Sequence, residues 1–149
     1  TPTRAMFIFL IETSLSSTQN GYLGAVIESI KDVVNNSYFY NGNDAKIAII
    51  TYDNIVSFYA YSEKMTQPQM MCVPTEPVFV PTVKEHLMLK AIDDKDKILA
   101  ILDLIQNNCN NNPSPVKDSS KIISALNGAY LLGKNLGGKI IIFSSFFFP

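Results

Sequence analysis

Two places in this chain put hard oxygen donors at the ends of apolar runs. The run Ala5–Ile11 ends in Glu12-Thr13-Ser14-Leu15-Ser16, a carboxylate and two hydroxyls at alternate positions. The run Lys139–Phe143 ends in Ser144-Ser145. A hard divalent cation such as Mg²⁺ takes oxygen ligands and usually one or two carboxylates. Glu12, Ser14 and Ser16 with Ser144 are therefore the outline of such a site. The second tip offers no acid, so the four are read as a degenerate metal site, with no metal expected there. Their polar atoms are expected to cap nearby backbone at the top of a sheet.

Other candidate chemistry is weaker. Gly133 to Lys139 (GKNLGGK) has the spacing of a phosphate loop, but Ile140 follows where a hydroxyl is needed. The order is also reversed, because a phosphate loop leads from a strand into a helix. His86 is the one histidine, and no serine or cysteine is paired with it by spacing, so no catalytic residue is assigned. Asp93, Asp94 and Asp96 read as the acidic start of a helix. Cys72 and Cys109 are too few for a disulfide framework and read as reduced. Asn35-Asn36-Ser37 matches a glycosylation acceptor pattern that is frequent by chance.

The elements that position these residues are legible as periodicities. Ala5–Ile11 and Lys46–Tyr52 are continuous apolar runs of strand length, as in strands buried on both faces. Asp53-Asn54 is a hairpin turn into a third strand, Ile55–Tyr61. After Asn20-Gly21, a helix carries Leu23, Val26, Ile27, Ile30, Val33 and Val34 on one side. Four prolines, Pro68, Pro74, Pro77 and Pro81, exclude a long helix between 62 and 90, where Gln69–Val73 and Val78–Val80 are candidate short strands. A helix from Asp93-Asp94 buries Ile98, Leu99, Ile101, Leu102 and Ile105. The Asn-rich stretch Asn107 to Asn112 reads as a surface loop. Asp118-Ser119-Ser120 is expected to cap a helix burying Ile122, Ile123, Leu126, Ala129 and Tyr130, stopped at Gly133 or Gly137-Gly138. Lys139–Phe143 is the last strand, expected to lie parallel to Ala5–Ile11 and beside it or nearly so.

At 149 residues and 47% apolar content, one domain with its own core is expected. The net charge of −1 gives no electrostatic footprint for nucleic acid and no polybasic attraction to a membrane. No apolar run approaches the roughly 20 residues of a membrane span. Thr1 and Pro149 read as the cut ends of a piece of a longer protein. Phe146-Phe147-Phe148 is expected to pack under a neighbouring part of that protein.

The element order implies an α/β layer fold with a mostly parallel sheet, one antiparallel edge hairpin, and helices on both faces. That order, with Glu12-x-Ser14-x-Ser16, resembles von Willebrand A-type (Rossmann-like) domains, where Asp is usual at position 12 and another Asp stands at the later strand tip. The steps Phe58-Tyr59, Gln67-Pro68-Gln69-Met70-Met71 and Val78-Phe79-Val80-Pro81 resemble the trunk domain of the cargo-selecting subunit of the COPII vesicle coat. Ser124-Ala125-Leu126, Gly128-Ala129 and Gly137-Gly138-Lys139 extend the likeness over the whole chain, as the first part of a trunk. The resemblance implies a non-catalytic, cytoplasmic adaptor at endoplasmic reticulum exit sites. It implies a sister coat subunit as partner, cytosolic sorting signals of membrane cargo as ligands, and peripheral membrane association through the assembled coat. It implies no cofactor in this segment and a zinc module outside it. Gln67, Gln69 and Met70, on an edge strand between prolines, are the expected partner contact. The competing expectation is a metal-dependent von Willebrand A ligand-binding domain.

Overall fold

The computed structural model describes residues 6–36 and 45–145. Ser37 of the glycosylation tripeptide and Phe146 to Phe148 lie outside the described residues. The expected apolar runs form the centre of one sheet. β1 (Met6–Glu12) pairs in parallel with β2 (Lys46–Tyr52) on one side and with β6 (Lys139–Phe143) on the other. β3 (Val56–Ala60) folds back on β2 through the Asp53–Ile55 turn, where the Asp53 Oδ1 accepts the Ile55 N–H at 3.0 Å. β4 (Gln69–Val73) adds antiparallel to β3, so the hairpin lies one place in from the edge. The two-residue β5 (Leu89–Lys90) pairs with the start of β2, where β3 no longer does.

β1 is apolar at every position but its last because both of its faces are covered. One face packs Phe9, Ile11, Ile47 and Ile49 against α2 (Tyr22–Asn35) and α4 (Lys95–Asn111). The other packs Ile8, Leu10, Ile50 and Phe58 against α5 (Ile122–Gly133). Two short helices complete the set, α1 (Leu15–Gln19) at the β1 tip and α3 (Lys84–Leu87) before β5. α2 starts as its punctuation implies: Gly21 has φ +81°, and the Asn20 side chain accepts the Tyr22 N–H at 2.9 Å.

Several local expectations are corrected. α5 buries Ala125, Gly128, Ala129 and Leu132, while Ile123 and Tyr130 are 65% and 63% exposed. The small stripe wins because it lets the helix seat closely on the sheet: a Cβ at Gly128 would stand 3.0 Å from Phe58 Cζ. Asp118-Ser119-Ser120 does not cap α5. Lys121 is the N-cap, and Ser119 instead turns the chain, accepting the Lys121 N–H and donating to the Asp53 carbonyl at 2.7 Å. Asn107 to Asn111 are helical, because Cys109 continues the buried stripe four residues after Ile105. Val78–Val80 is not a strand; Val78 is buried beside α5, between prolines that cannot donate to a ladder.

The turn from α5 into β6 is set by close approach. Gly137 has φ +65°, and a Cβ on Gly138 would lie 2.7 Å from the Met6 carbonyl oxygen. Gly138→Ala is expected to destabilise by about 1–3 kcal/mol in urea unfolding, since backbone must shift to admit the methyl group. Gly24→Ala, inside α2 with only a 3.7 Å contact to Gln106, is expected to be neutral or stabilising by up to about 1 kcal/mol.

Candidate functional site at the carboxyl ends of the central strands

Because β2, β1 and β6 run in parallel, their carboxyl ends meet at one rim. Register places Glu12 beside Tyr52 and Ile11 beside Phe143. Glu12 is 2% exposed. Its Oε2 accepts from the Ser14 hydroxyl and, at 2.5 Å, from the Ser145 hydroxyl. Its Oε1 accepts from the Ser144 hydroxyl at 3.2 Å and from the Ser145 N–H at 3.3 Å. Four donors converge on one acceptor group, the arrangement that a buried carboxylate requires.

Ser14 also serves as N-cap of α1, its Oγ lying 3.4 Å from the Ser17 N–H. Ser17, fully buried, reaches the carbonyls of Glu12 and Ser14 at 3.0 and 2.8 Å. Ser16 departs from the expected set: no hydrogen bond joins it to Glu12 among the described residues. The alternation of a strand ends where α1 begins at Leu15, and the helical turn carries Ser17 inward instead. The amides of Leu15 and Ser16 donate to the carbonyls of Val116 and Lys117, both at 2.9 Å, so the loop before α5 closes over the start of α1.

Two tyrosines complete the rim. Burial pushes the Tyr52 phenol up to about 12; a hydrogen bond with the Ser144 side chain opposes the shift, and the Glu12 charge adds to it. The Tyr52 hydroxyl also donates to the Phe143 carbonyl at 3.2 Å. Burial and then the Glu12 charge raise Tyr22, with the Ser144 backbone opposing. Nothing in the sequence around Tyr52 or Ser17 signals these roles. Tyr52 enters through register across the sheet, Ser17 through helix geometry.

A cation at this rim would have to displace serine donors from both Glu12 oxygens. Among the described residues no group of three or more His, Cys, Asp and Glu side chains is placed to hold a metal. The Gly133–Lys139 segment is the exit of α5, whose carbonyl end disfavours phosphate. Asp94 accepts the Lys90 N–H at 2.9 Å and lies 3.6 Å from Lys97, a structural role. At the other expected site, Gln67 and Gln69 are exposed, and β4 is the outermost strand on its side of the described sheet. Met70 is half-buried against the α4 face, its sulfur 3.8 Å from Asn108 Nδ2.

Glu12→Ala is expected to cost roughly 3 kcal/mol by stranding buried donors, and Glu12→Gln less, because the amide oxygen keeps one acceptor. Both are measured by chemical unfolding. The raised Tyr52 pKa also sets an alkaline limit. Below its unfolded value, about 10, the phenol is neutral in both states and its contribution is complete. Between there and about 12 the unfolded chain ionises first, so stability falls as pH rises through that window. Tyr52→Phe is expected to reduce that slope in unfolding curves taken across it.

Residues 2–147 match the Sec23/Sec24 trunk domain family. The chain is 32% identical to protein transport protein SEC24 A of Arabidopsis thaliana and 29% identical to human protein transport protein Sec24A, in each case over 97% of the chain and 13% of the relative. The chain thus spans about an eighth of the length of these relatives. The crystal structure of the human COPII-coat protein Sec24c shares the fold with a TM-score of 0.77 at 21% identity, over 95% of this chain and 19% of that one. A match over nearly every residue, on a sheet with the expected parallel centre and hairpin, establishes that the chain belongs to the Sec23/Sec24 trunk domain family.

Proposed function

We propose that the chain is the first part of a trunk domain in a COPII coat adaptor, acting without catalysis in transport from the endoplasmic reticulum to the Golgi. The family match over residues 2–147 carries this reading. On it, the trunk binds a sister coat subunit, and the assembled adaptor takes up cytosolic sorting signals of membrane cargo. It works on the cytosolic face of endoplasmic reticulum exit sites and in the vesicle coat. Attachment to the membrane is peripheral, through the coat; no helix among the described residues is long and apolar enough to cross a bilayer. The net charge of −1 supports partner binding through shape and apolar contact rather than through a basic face, and it favours no nucleic acid. Zinc belongs to a module outside this segment.

The Glu12 rim supports an adaptor over a metal-dependent ligand-binding domain. Both carboxylate oxygens are engaged by serine donors, which leaves structural work for a group that would otherwise hold a cation. The sister-subunit contact is assigned to Gln67, Gln69 and Met70, at the start of the outermost strand β4.

The test is capture of the sister subunit by the complete trunk at low and raised salt, with and without alanine at Gln67, Gln69 and Met70. Wild-type capture is expected to survive raised salt, and the triple variant to lose about tenfold or more in affinity. Failure of the wild-type trunk to form any complex contradicts the adaptor reading. Full binding by the variant contradicts only the assigned contact. Mg²⁺ titration by calorimetry is expected to give no binding heat at the Glu12 rim; a saturable signal lost in Glu12→Ala would favour the metal-dependent reading.

A further inference from the structure

β4 ends the described sheet on one side, and two hydrogen bonds fix which of its backbone groups face outward. The Asp53 N–H donates to the Ile55 carbonyl at 3.2 Å, and the Tyr61 N–H donates to the His86 carbonyl at 3.1 Å, just ahead of β5 on the β2 side. Ile55, Ser57, Tyr59 and Tyr61 therefore turn their backbone groups toward β2, and Val56, Phe58 and Ala60 turn theirs toward β4. Register pairs those three with Val73, Met71 and Gln69. The N–H and C=O groups of Met70 and Cys72 are left pointing away from the sheet. Among the described residues, no backbone bond outside the strand ladders meets them.

Open edges are commonly blunted by charge, by a bulge or by proline. No charged residue stands between Lys64 and Glu76, so charge is not the guard here. Proline is: Pro68 and Pro74 take the next outward positions, three residues to either side of Met71, and neither has an N–H to offer. They leave a window of two residues, and that window is self-complementary. About a two-fold axis at Met71, Met70 of each copy lies opposite Cys72 of the other, and each Pro68 lies opposite a Pro74. Four N–H···O=C bonds can form, and no N–H is stranded across from a proline. The lack of charge fits the same symmetry, because a charge beside the axis would meet its like.

We propose that β4 pairs antiparallel with β4 of a second copy of the chain about that axis, joining two sheets with their α4 faces on the same side. The interface is isologous, the same strand serving both copies. Strands of five residues bury less area than a stable dimer needs, so the pairing is weak and depends on concentration. It uses the strand to which the sister-subunit contact is assigned, so it belongs to the free protein and stands independently of the adaptor reading.

The full-length protein, without the sister subunit, is the sample that tests it. In sedimentation equilibrium from about 1 to 500 µM, the average mass is expected to rise toward twice that of the monomer. Residue-resolved amide exchange over the same range is expected to slow roughly threefold or more at Met70 and Cys72, while Met71 and Val73, bonded to β3, stay unchanged. The two Cys72 side chains share a face across the axis, with Cα atoms roughly 7–8 Å apart. Cys72 is exposed, and Cys72→Lys and Cys72→Glu are each expected to stay monomeric alone and to regain the dimer as an equimolar mixture. Slow Met71 and Val73 amides report that each variant is folded. A monomer throughout overturns the proposal. So does a dimer whose Met70 and Cys72 amides exchange as in dilute solution, or one that both charged variants form unchanged, since it then uses another surface. Failure of the mixture to regain a dimer that each variant lost overturns the two-fold register. Protection of the two amides in the monomer overturns the proposal by showing the edge covered within one chain.

Discussion

The hydrogen bonds that converge on the Glu12 carboxylate fix the geometry of the rim where the central strands end. Three strands end there side by side, and backbone ladders no longer hold the chain beyond them. Glu12 accepts from Ser14 on its own strand's exit and from Ser144 and Ser145 on the exit of β6. A buried carboxylate without donors would be expelled or neutralised; with four it becomes a tie between two loops. A divalent cation at such a rim would gather oxygen ligands from the strand tips. Here the protein's own negative group gathers hydrogen-bond donors instead, and serine is the side chain that suits either arrangement.

The tie can form because the strands beneath it are held in register and close together. Gly138 lets β6 enter against the Met6 carbonyl, and the small stripe of α5 brings that helix down onto Phe58. α2 and α4 close the other face with larger side chains. Each approach is a packing constraint on the strands, and the strands carry it to the rim, where Glu12 and Tyr52 stand as register neighbours.

Much of this was legible in the sequence because it is local. Continuous apolar runs marked β1, β2 and β6, and the Asp53-Asn54 turn marked the hairpin. Glu12, Ser14 and Ser144 stood out because the carboxyl ends of parallel strands are where α/β sheets gather polar groups. What was not legible depends on contacts between distant residues. Of the residues that helical periodicity assigned to the buried face of α5, Ala129, Ile122 and Leu126 do pack inward, but Ile123 and Tyr130 were counted for their size and face out; the helix is turned by Phe58, which requires Gly128 beneath it. Asparagine content argued for a loop at 107–112, but one buried Cys109 kept the last turns of α4 wound. Ser17 replaced Ser16 because a five-residue helix begins one residue after Ser14, too short to show a period. Tyr52 had no signal of its own, since its role comes from lying beside Glu12.

Glu12 as the tie between β1 and β6 is tested most directly by a double-mutant cycle of Glu12→Gln with Ser145→Ala, read by urea unfolding at neutral pH. The two positions are 133 residues apart in sequence and share hydrogen bonds to both carboxylate oxygens. A coupling energy of about 0.5 kcal/mol or more is expected, because Ser145→Ala removes the hydroxyl of the Ser145–Glu12 hydrogen bond and Glu12→Gln weakens the same bond by removing the charge of its acceptor. Costs that add within about 0.3 kcal/mol would contradict the tie and leave Glu12 as a buried acid served by its own strand's exit alone.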